Sequence, residues 1–359
     1  MIIRRHYSPS QTEISRIADD VLLKHAGPGK LRRGAGVDRS TWKELSSLGW
    51  METLRADALG GHGLPLADVA VLAERAGYHL LAGPLIDTII ASALWQGAGP
   101  NSDEWSRIAL APCTRAGTDA GGVSSRDGQL HGSLPYVPYG SQCQYVLVAC
   151  ESENGPQVVV VDVTGDGVDV ASLQSSDRAI APASMLFNGA PILDVVTSEG
   201  VGMTAVARMS ALAGLMNSAK CLGLADRVLE IARDHARTRV QFGRTIGSFQ
   251  AVQHRLADMT VSVTTLLALV SSGVGNADLT DVDPKATEVL HAYASATVRD
   301  VVESAMQVLG GIAFTAEHDL HLYLKHALTL AALDGTPSRL YASIGERLVA
   351  PPLTYGSDT

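Results

Sequence analysis

At 359 residues with 46% apolar and 18% charged side chains, the chain is long enough for two or three sub-domains around shared cores and too apolar to stay disordered. A net charge of −9 argues against the basic face that nucleic-acid binding needs, so the short run Lys30, Arg32 and Arg33 reads as a solvated turn. The start MIIRRHYSPS has no apolar stretch of a signal peptide behind it, and no run of about eighteen apolar residues offers a membrane span, which leaves a cytoplasmic location as the expectation.

Residues 8 to 105 read as a helical N-terminal domain. Ile14, Ile17, Val21 and Leu22 recur near the helical period over Ser10 to Lys24, and Trp42, Leu45 and Leu48 share one side of Asp38 to Leu48. A break at Leu59-Gly60-Gly61-His62-Gly63 precedes a helix over Pro65 to Leu81, with Pro65 placed in a first turn, and then an apolar helix over Leu85 to Trp95. Residues 106 to 200 gain Gly, Ser, Pro and Asp together with β-branched runs. Tyr145 to Val148 and Val158 to Val163 are strand-like, and the turn signals Asn154-Gly155 and Gly165-Asp166-Gly167 flank them, which predicts a small antiparallel β-barrel. Residues 201 to 359 return to helix: Met203 to Arg239, Phe249 to Ser272, a helix capped by Asp283 with Pro284 in its first turn and stopped at Gly310-Gly311, His318 to Leu333, and a last helix to Val349. Long, Ala-rich amphipathic helices with short breaks predict a C-terminal four-helix bundle. The fold class expected is mainly α with a β middle domain.

Two strings carry more information than this order of elements. One runs from Arg237 through Arg239, Gln241-Phe242-Gly243, Ile246 and Phe249-Gln250 to Gln253, Ala257-Asp258 and Met259. The other runs from Gln307 through Gly310-Gly311, Ala313-Phe314-Thr315 and Glu317-His318 to Lys325. Both resemble signatures of the flavin-dependent acyl-CoA dehydrogenase family: R-x-Q-F-G-x-x-I-x-x-F-Q-x-x-Q-x-x-L-A-D-M, and Q-x-x-G-G-x-G-F-T-x-E with Ala313 in place of the third Gly. The N-terminal Leu59 to Gly63, with Glu74 and Gly83-Pro84-Leu85, resembles an actinobacterial-type branch that includes short, diverged subunits of heteromeric enzymes.

The resemblance implies an N-terminal helical domain, a middle barrel, a C-terminal four-helix bundle and FAD held without a Rossmann fingerprint. It also implies that Arg239, Gln241, Phe242, Gln307 and Gly311 reach across a subunit interface to a neighbour's FAD. The residue types suit that task. Arg239 offers a planar cationic fork to phosphate oxygens, and Gln250 and Gln307 can hydrogen-bond an adenine edge or backbone. Phe242 can pack on a flat ring, and Gly310-Gly311 permits close backbone approach. Taken singly, each has a plainer explanation: a surface ion pair for Arg239, a core ring for Phe242, a helix cap for Gly310-Gly311. The family strings L-T-E-P-x-x-G-S-D and W-I-T, which hold a subunit's own cofactor and thioester, are not found. Pro112-Cys-Thr-Arg-Ala-Gly-Thr-Asp-Ala-Gly-Gly122 and Leu134-Pro-Tyr-Val-Pro-Tyr-Gly140 occupy those regions.

The catalytic base of the family lies in a Y-E-G-T string, and the matching string here is Leu333-Asp334-Gly335-Thr336. Asp334 is therefore the candidate base, one methylene shorter than Glu, with a helix-end turn residue as the equal alternative. A second family position for the base matches Ala213, which cannot act. No metal site is expected: Cys113, Cys143, Cys150 and Cys221 match no zinc spacing and read as free thiols, and His318, His321 and His326 lack the H-E-x-x-H pattern. Three functions follow. The first is a diverged subunit of a heteromeric FAD enzyme that desaturates an acyl-CoA, beside a homologous partner subunit, with a bulky acyl group such as a steroid fragment. The second is a self-sufficient homotetrameric dehydrogenase or oxidase with Asp334 as base. The third is a flavin-free structural subunit. The implied electron acceptor is an electron-transfer flavoprotein or oxygen.

Overall fold

The computed structural model describes residues 7–95, 108–110, 122–196, 205–275, 277, 279 and 281–349. Five helices come first: α1 (Pro9–His25), α2 (Pro28–Arg33), α3 (Arg39–Ser47), α4 (Leu66–Tyr78) and α5 (Leu85–Leu94). Ser8 caps α1 with a reciprocal capping box through Gln11, and Asp38 caps α3 by accepting from the Thr41 amide. Pro65 is the N-cap of α4 rather than a residue of its first turn. The basic run expected to be a turn forms α2. Two of its three charges are engaged rather than merely solvated: Lys30 pairs with Asp38 at 3.0 Å, and Arg32 pairs with Asp319 and donates to the Ala316 carbonyl at 2.7 Å.

Seven strands form the middle sheet: β1 (Ile108–Leu110), β2 (Ser124–Arg126), β3 (Gln129–Val137), β4 (Tyr145–Ser152), β5 (Gly155–Asp162), β6 (Val168–Ser172) and β7 (Ala183–Val196). The order β1-β4-β2-β3-β7-β5, with β4 also paired to β5, closes the strands into a barrel-like ring. Most pairings are antiparallel as expected, but β4 runs parallel to both β1 and β2. Two turns set the registers. Glu153-Asn154 links β4 to β5, with Gly155 at φ 100°, and Asp127-Gly128, both at positive φ, links β2 to β3. The run from Val146 to Val148 is apolar without alternation because both faces of β4 are covered. Val146 and Val148 enter the barrel core, while Leu147 joins the helical core with Val158 and Val160 of β5.

The chain then returns to helix with α6 (Ala205–Thr238), a two-residue hairpin of β8 (Val240–Gln241) and β9 (Arg244–Thr245), α7 (Gln250–Gly275), α8 (Pro284–Leu309), a 3-10 segment Gly310–Phe314, α9 (Leu320–Ala332) and α10 (Pro337–Val349). Asp283 caps α8 by accepting from the Lys285 amide, with Pro284 in the first turn. α6 packs against α4, α7, α8 and α9, and α10 lies on α8. The α4–α6 crossing is a backbone contact. A Cβ at Gly77 would stand 2.0 Å from the Lys220 carbonyl oxygen, and one at Gly223 would stand 1.8 Å from that of Glu74. One hydrophobic core, from Leu22 of α1 to Ala331 of α9, therefore joins the N-terminal and C-terminal helices.

α7 differs from its neighbours. Met259, Val263, Leu266, Val270 and Val274 bury one narrow stripe, while Val261 and Leu269 stay exposed on the remainder. This open apolar face makes α7, among the described residues, the one helix that passes a membrane-span test by length and composition, although its stripe packs on α6 and α8.

Candidate active site

The structure sets the candidate base against a cavity and leaves the candidate cofactor-binding residues on the surface. The cavity, of about 800 Å³, is enclosed by β3, the start of α6, the start of α8 and the corner between α9 and α10. Tyr136, Gly214, His291, Leu333, Asp334 and Thr336 line it. The corner is held in an uncommon shape. α9 ends at Ala332, Asp334 lies at φ 57° and Gly335 at φ 119°, and α10 starts at Pro337. Asp tolerates the left-handed region better than most side chains, and Gly335 is what lets the chain turn back at once. The buried His291 of α8 fixes the approach, donating from Nε2 to the Leu333 carbonyl at 2.8 Å.

Asp334 also borders a second cavity of about 30 Å³ between α5, α6 and the barrel, shared with Asp87, Tyr139, Ala213, Asn217 and Lys220. Ala213, the other position at which the family places a base, thus stands beside Asp334. Lys220 is 6% exposed and reaches the Tyr139 hydroxyl at 3.5 Å. Burial pushes the Lys220 ammonium below its ordinary value, and Asp87, Asp177 and Asp334 draw it back up. Burial raises the Asp334 carboxyl, Lys220 opposes the rise, and the balance lies at about 6. A carboxyl group with that value beside a roomy, largely apolar cavity can take or return a proton near neutral pH. The sequence reading missed Lys220, His291 and Tyr139. The available signal was a lysine inside the apolar string Ala219-Lys220-Cys221-Leu222, where a surface helix would not put one.

The candidate cofactor-binding residues lie away from both cavities, on the surface of the β8–β9 hairpin, the start of α7 and the end of α8. Arg239, Gln241, Phe242, Gln250, Gln307, Gly310 and Gly311 are all exposed. The Arg239 side chain makes no hydrogen bond or ion pair among the described residues, so the surface ion-pair explanation does not apply. Phe242 is 91% exposed, which excludes the core explanation. Phe242 and Gly243 form the turn between β8 and β9, with φ of 53° and 78°. A two-residue hairpin of this kind wants Asn-Gly or Gly-Gly, and a bulky side chain in the left-handed region costs about 1–2 kcal/mol. Gly310 does end α8, at φ 66°, so the helix-cap explanation holds for it. Gly311 has no such reason: a Cβ there would meet nothing within 4 Å. Unpaired donors, a proud aromatic ring and an unexplained glycine are the features an edge presents when its complement lies outside the chain. They fit a flavin nucleotide: a fork for phosphate, amides for a base edge and a flat face for a ring system.

Other sequence candidates have structural places. His326 and Asp177 form a buried pair at 2.8 Å that ties α9 to the loop before β7. His321 Nδ1 lies 2.8 Å from the His318 carbonyl oxygen, and His318 accepts from the Leu320 amide. No group of three potential metal ligands occurs among the described residues. Cys143, Cys150 and Cys221 are buried free thiols. Residues 112–121, where the family's own-cofactor string was sought, and Cys113 among them, lie outside the described residues. The Leu134-to-Gly140 string forms the end of β3 and the turn after it, with Tyr136 on the large cavity and Tyr139 on the small one.

Comparison with known proteins agrees with this architecture. Residues 200–349 match the family model described as acyl-CoA dehydrogenase, C-terminal domain. The chain is 28% identical over 330 residues to acyl-CoA dehydrogenase IpdE2 of Mycobacterium tuberculosis, covering 88% of this chain and 90% of the relative. Among solved structures, the Tcur3481-Tcur3483 steroid ACAD superposes with a TM-score of 0.84 at 24% identity, over 94% of this chain and 97% of that one. The ChsE4-ChsE5 complex from Mycobacterium tuberculosis superposes at 0.83 and 23% identity, over 98% and 100%. At such identities the superpositions speak to the fold alone. Residues 200–349 thus match the acyl-CoA dehydrogenase C-terminal domain, and the chain as a whole is similar in sequence to acyl-CoA dehydrogenases.

Proposed function

We propose that this protein is a diverged subunit of a heteromeric, FAD-dependent acyl-CoA dehydrogenase, and that its outer edge completes a flavin site cradled mostly by a homologous partner. The observation that carries this reading is the group Arg239, Phe242, Gln307 and Gly311, which matches the family strings and stays exposed in its own chain. Arg239 would meet the pyrophosphate, Gln241, Gln250 and Gln307 would donate to polar edges, Phe242 would cover a ring face, and Gly310-Gly311 would let backbone approach. When bound, FAD supplies the acceptor for the hydride that leaves Cβ of the acyl thioester. The open apolar face of α7 supports an assembled rather than an isolated subunit. A bulky acyl group is in keeping with the words "steroid ACAD" in the name of one structural neighbour. Reoxidation would fall to an electron-transfer flavoprotein or to oxygen.

A second reading has its own observation. Asp334 borders a cavity of about 800 Å³ with its carboxyl raised to about 6, the setting a base for Cα–H needs if the chain also works on its own. In that reading Asp334 takes the α-proton, and the His291-anchored corner keeps its carboxylate aimed into the cavity. The visible spectrum separates the readings. A colourless chain that becomes yellow only when co-expressed with a homologous subunit supports the heteromer. A chain yellow by itself and bleached by acyl-CoA supports the second reading. A chain colourless under every pairing rejects both in favour of a structural subunit.

A further inference from the structure

The β8–β9 hairpin carries more than a displayed phenylalanine. Phe249, just before α7, meets the Phe242 ring edge-on with centroids 6.2 Å apart and planes at 87°. Arg244, on β9, lays its guanidinium over the Phe249 ring at 4.0 Å from the centroid. Arg244 is the register partner of Gln241, so the same residue closes the hairpin and clamps the ring that props its tip. Phe249 is half-buried and anchored, since it closes the 3-10 turn Ile246–Ser248 by donating its amide to the Ile246 carbonyl at 3.1 Å. The stack therefore runs from a fixed base to a tip whose backbone is strained and whose ring is almost fully exposed.

We infer that Arg244 and Phe249 are positioning residues, which hold the Phe242 ring erect so that the hairpin meets a flavin already formed. This rests on the reading that Phe242 faces a flavin, but the clamp itself can be measured without one. An unsupported phenylalanine in the left-handed region would leave the turn free to rearrange, and ordering it at each binding event would weaken affinity. With the stack in place, that ordering is complete beforehand.

The test is made on the assembled complex, with FAD as probe. In the apo complex, amide exchange over residues 239–249 should quicken in Arg244→Gln and stay as wild type in Arg244→Lys, which keeps a cation over the ring. Unchanged exchange in Arg244→Gln overturns the clamp, whatever the flavin does. On titration with FAD, Arg244→Gln should raise Kd about two- to fivefold, the factor an exposed cation–π contact is worth. In a Phe242→Ala background the same change should have no further effect. A full effect there would mean that Arg244 meets the cofactor directly, and it too overturns the inference. If Phe242→Ala leaves FAD affinity unaltered while exchange still responds to Arg244→Gln, the clamp stands and the flavin reading falls.

Discussion

Replacing Asp334 by Asn separates a turn residue from a tuned carboxyl group, because the two differ in how stability depends on pH. Asn keeps the shape and tolerates the left-handed backbone at φ 57°, so the corner persists. Lys220 is not left alone, since Asp87 and Asp177 still act on it. Burial raises the Asp334 carboxyl from an ordinary 3.8 to about 6 in the folded chain. A group raised in this way contributes stability below its unfolded value and loses that contribution as pH climbs through its folded value. The wild type should therefore weaken between about pH 4 and pH 6 from this residue, while the Asn variant should not. At about 1.4 kcal/mol for each pH unit between the two values, the ceiling is about 3 kcal/mol, and water in the neighbouring cavity screens it toward about 1. The assay is the thermal midpoint of both proteins at pH 4 and pH 7.5. A relative gain of about 1–4 °C for Asn at the higher pH is expected, since the unfolding entropy of a chain this long makes each kcal/mol worth about 1.3 °C. An identical difference at both pH values would refute the argument that Asp334 is a raised, buried carboxyl. Turnover supplies the functional half: if Asp334 is the base, the variant retains flavin and loses the reaction, and undiminished turnover rejects the role.

Arg239→Ala should lower the flavin content of the co-purified complex, read from the ratio of visible to ultraviolet absorbance, and full occupancy would count against the donated-edge reading. Gly223→Ala forces a methyl group to within 1.8 Å of a helical carbonyl oxygen, so α4 and α6 must separate. A loss near the top of the roughly 1–3 kcal/mol range for overpacking is expected in thermal unfolding, and an unchanged midpoint would show that the crossing is loose. Asp177→Ala leaves His326 buried without its partner and should cost about 3–5 kcal/mol. Burial alone would raise the Asp177 carboxyl, but His326 and the Ala179 amide hold it below the ordinary range. The stability it contributes is thus present above that range and lost as pH falls, so the difference between variant and wild type should shrink in acid. A constant difference would exclude the charge interaction as its cause.

Much of the fold is local physics and was legible in the chain. Asp283-Pro284 starts α8 because a carboxylate cap and a fixed φ act within one turn, and Gly310 stops it because glycine accepts positive φ. The Asn154-Gly155 hairpin and the signature strings around Arg239 and Gly311 are likewise short-range and survive in a divergent sequence. Three readings failed, two of them where groups distant in sequence decided the outcome. Lys30 and Arg32, in a helix rather than a turn, give their charges to Asp38 and Asp319, the second from 287 residues away. The barrel acquired parallel pairings because closing the ring brings β1 and β2 to β4 in that direction. Pro65 serves as a cap because α4 begins one residue later. By itself the sequence carried the family resemblance, the helical periods and the caps, since each depends on neighbours a few positions apart. Only the tertiary structure decided that Lys220, Tyr139 and Asp334 meet around one small cavity, that His291 holds the corner at Leu333, and that Arg239 and Phe242 are exposed. Burial and charge pairing arise between segments that the chain brings together only when the α4–α6 crossing closes.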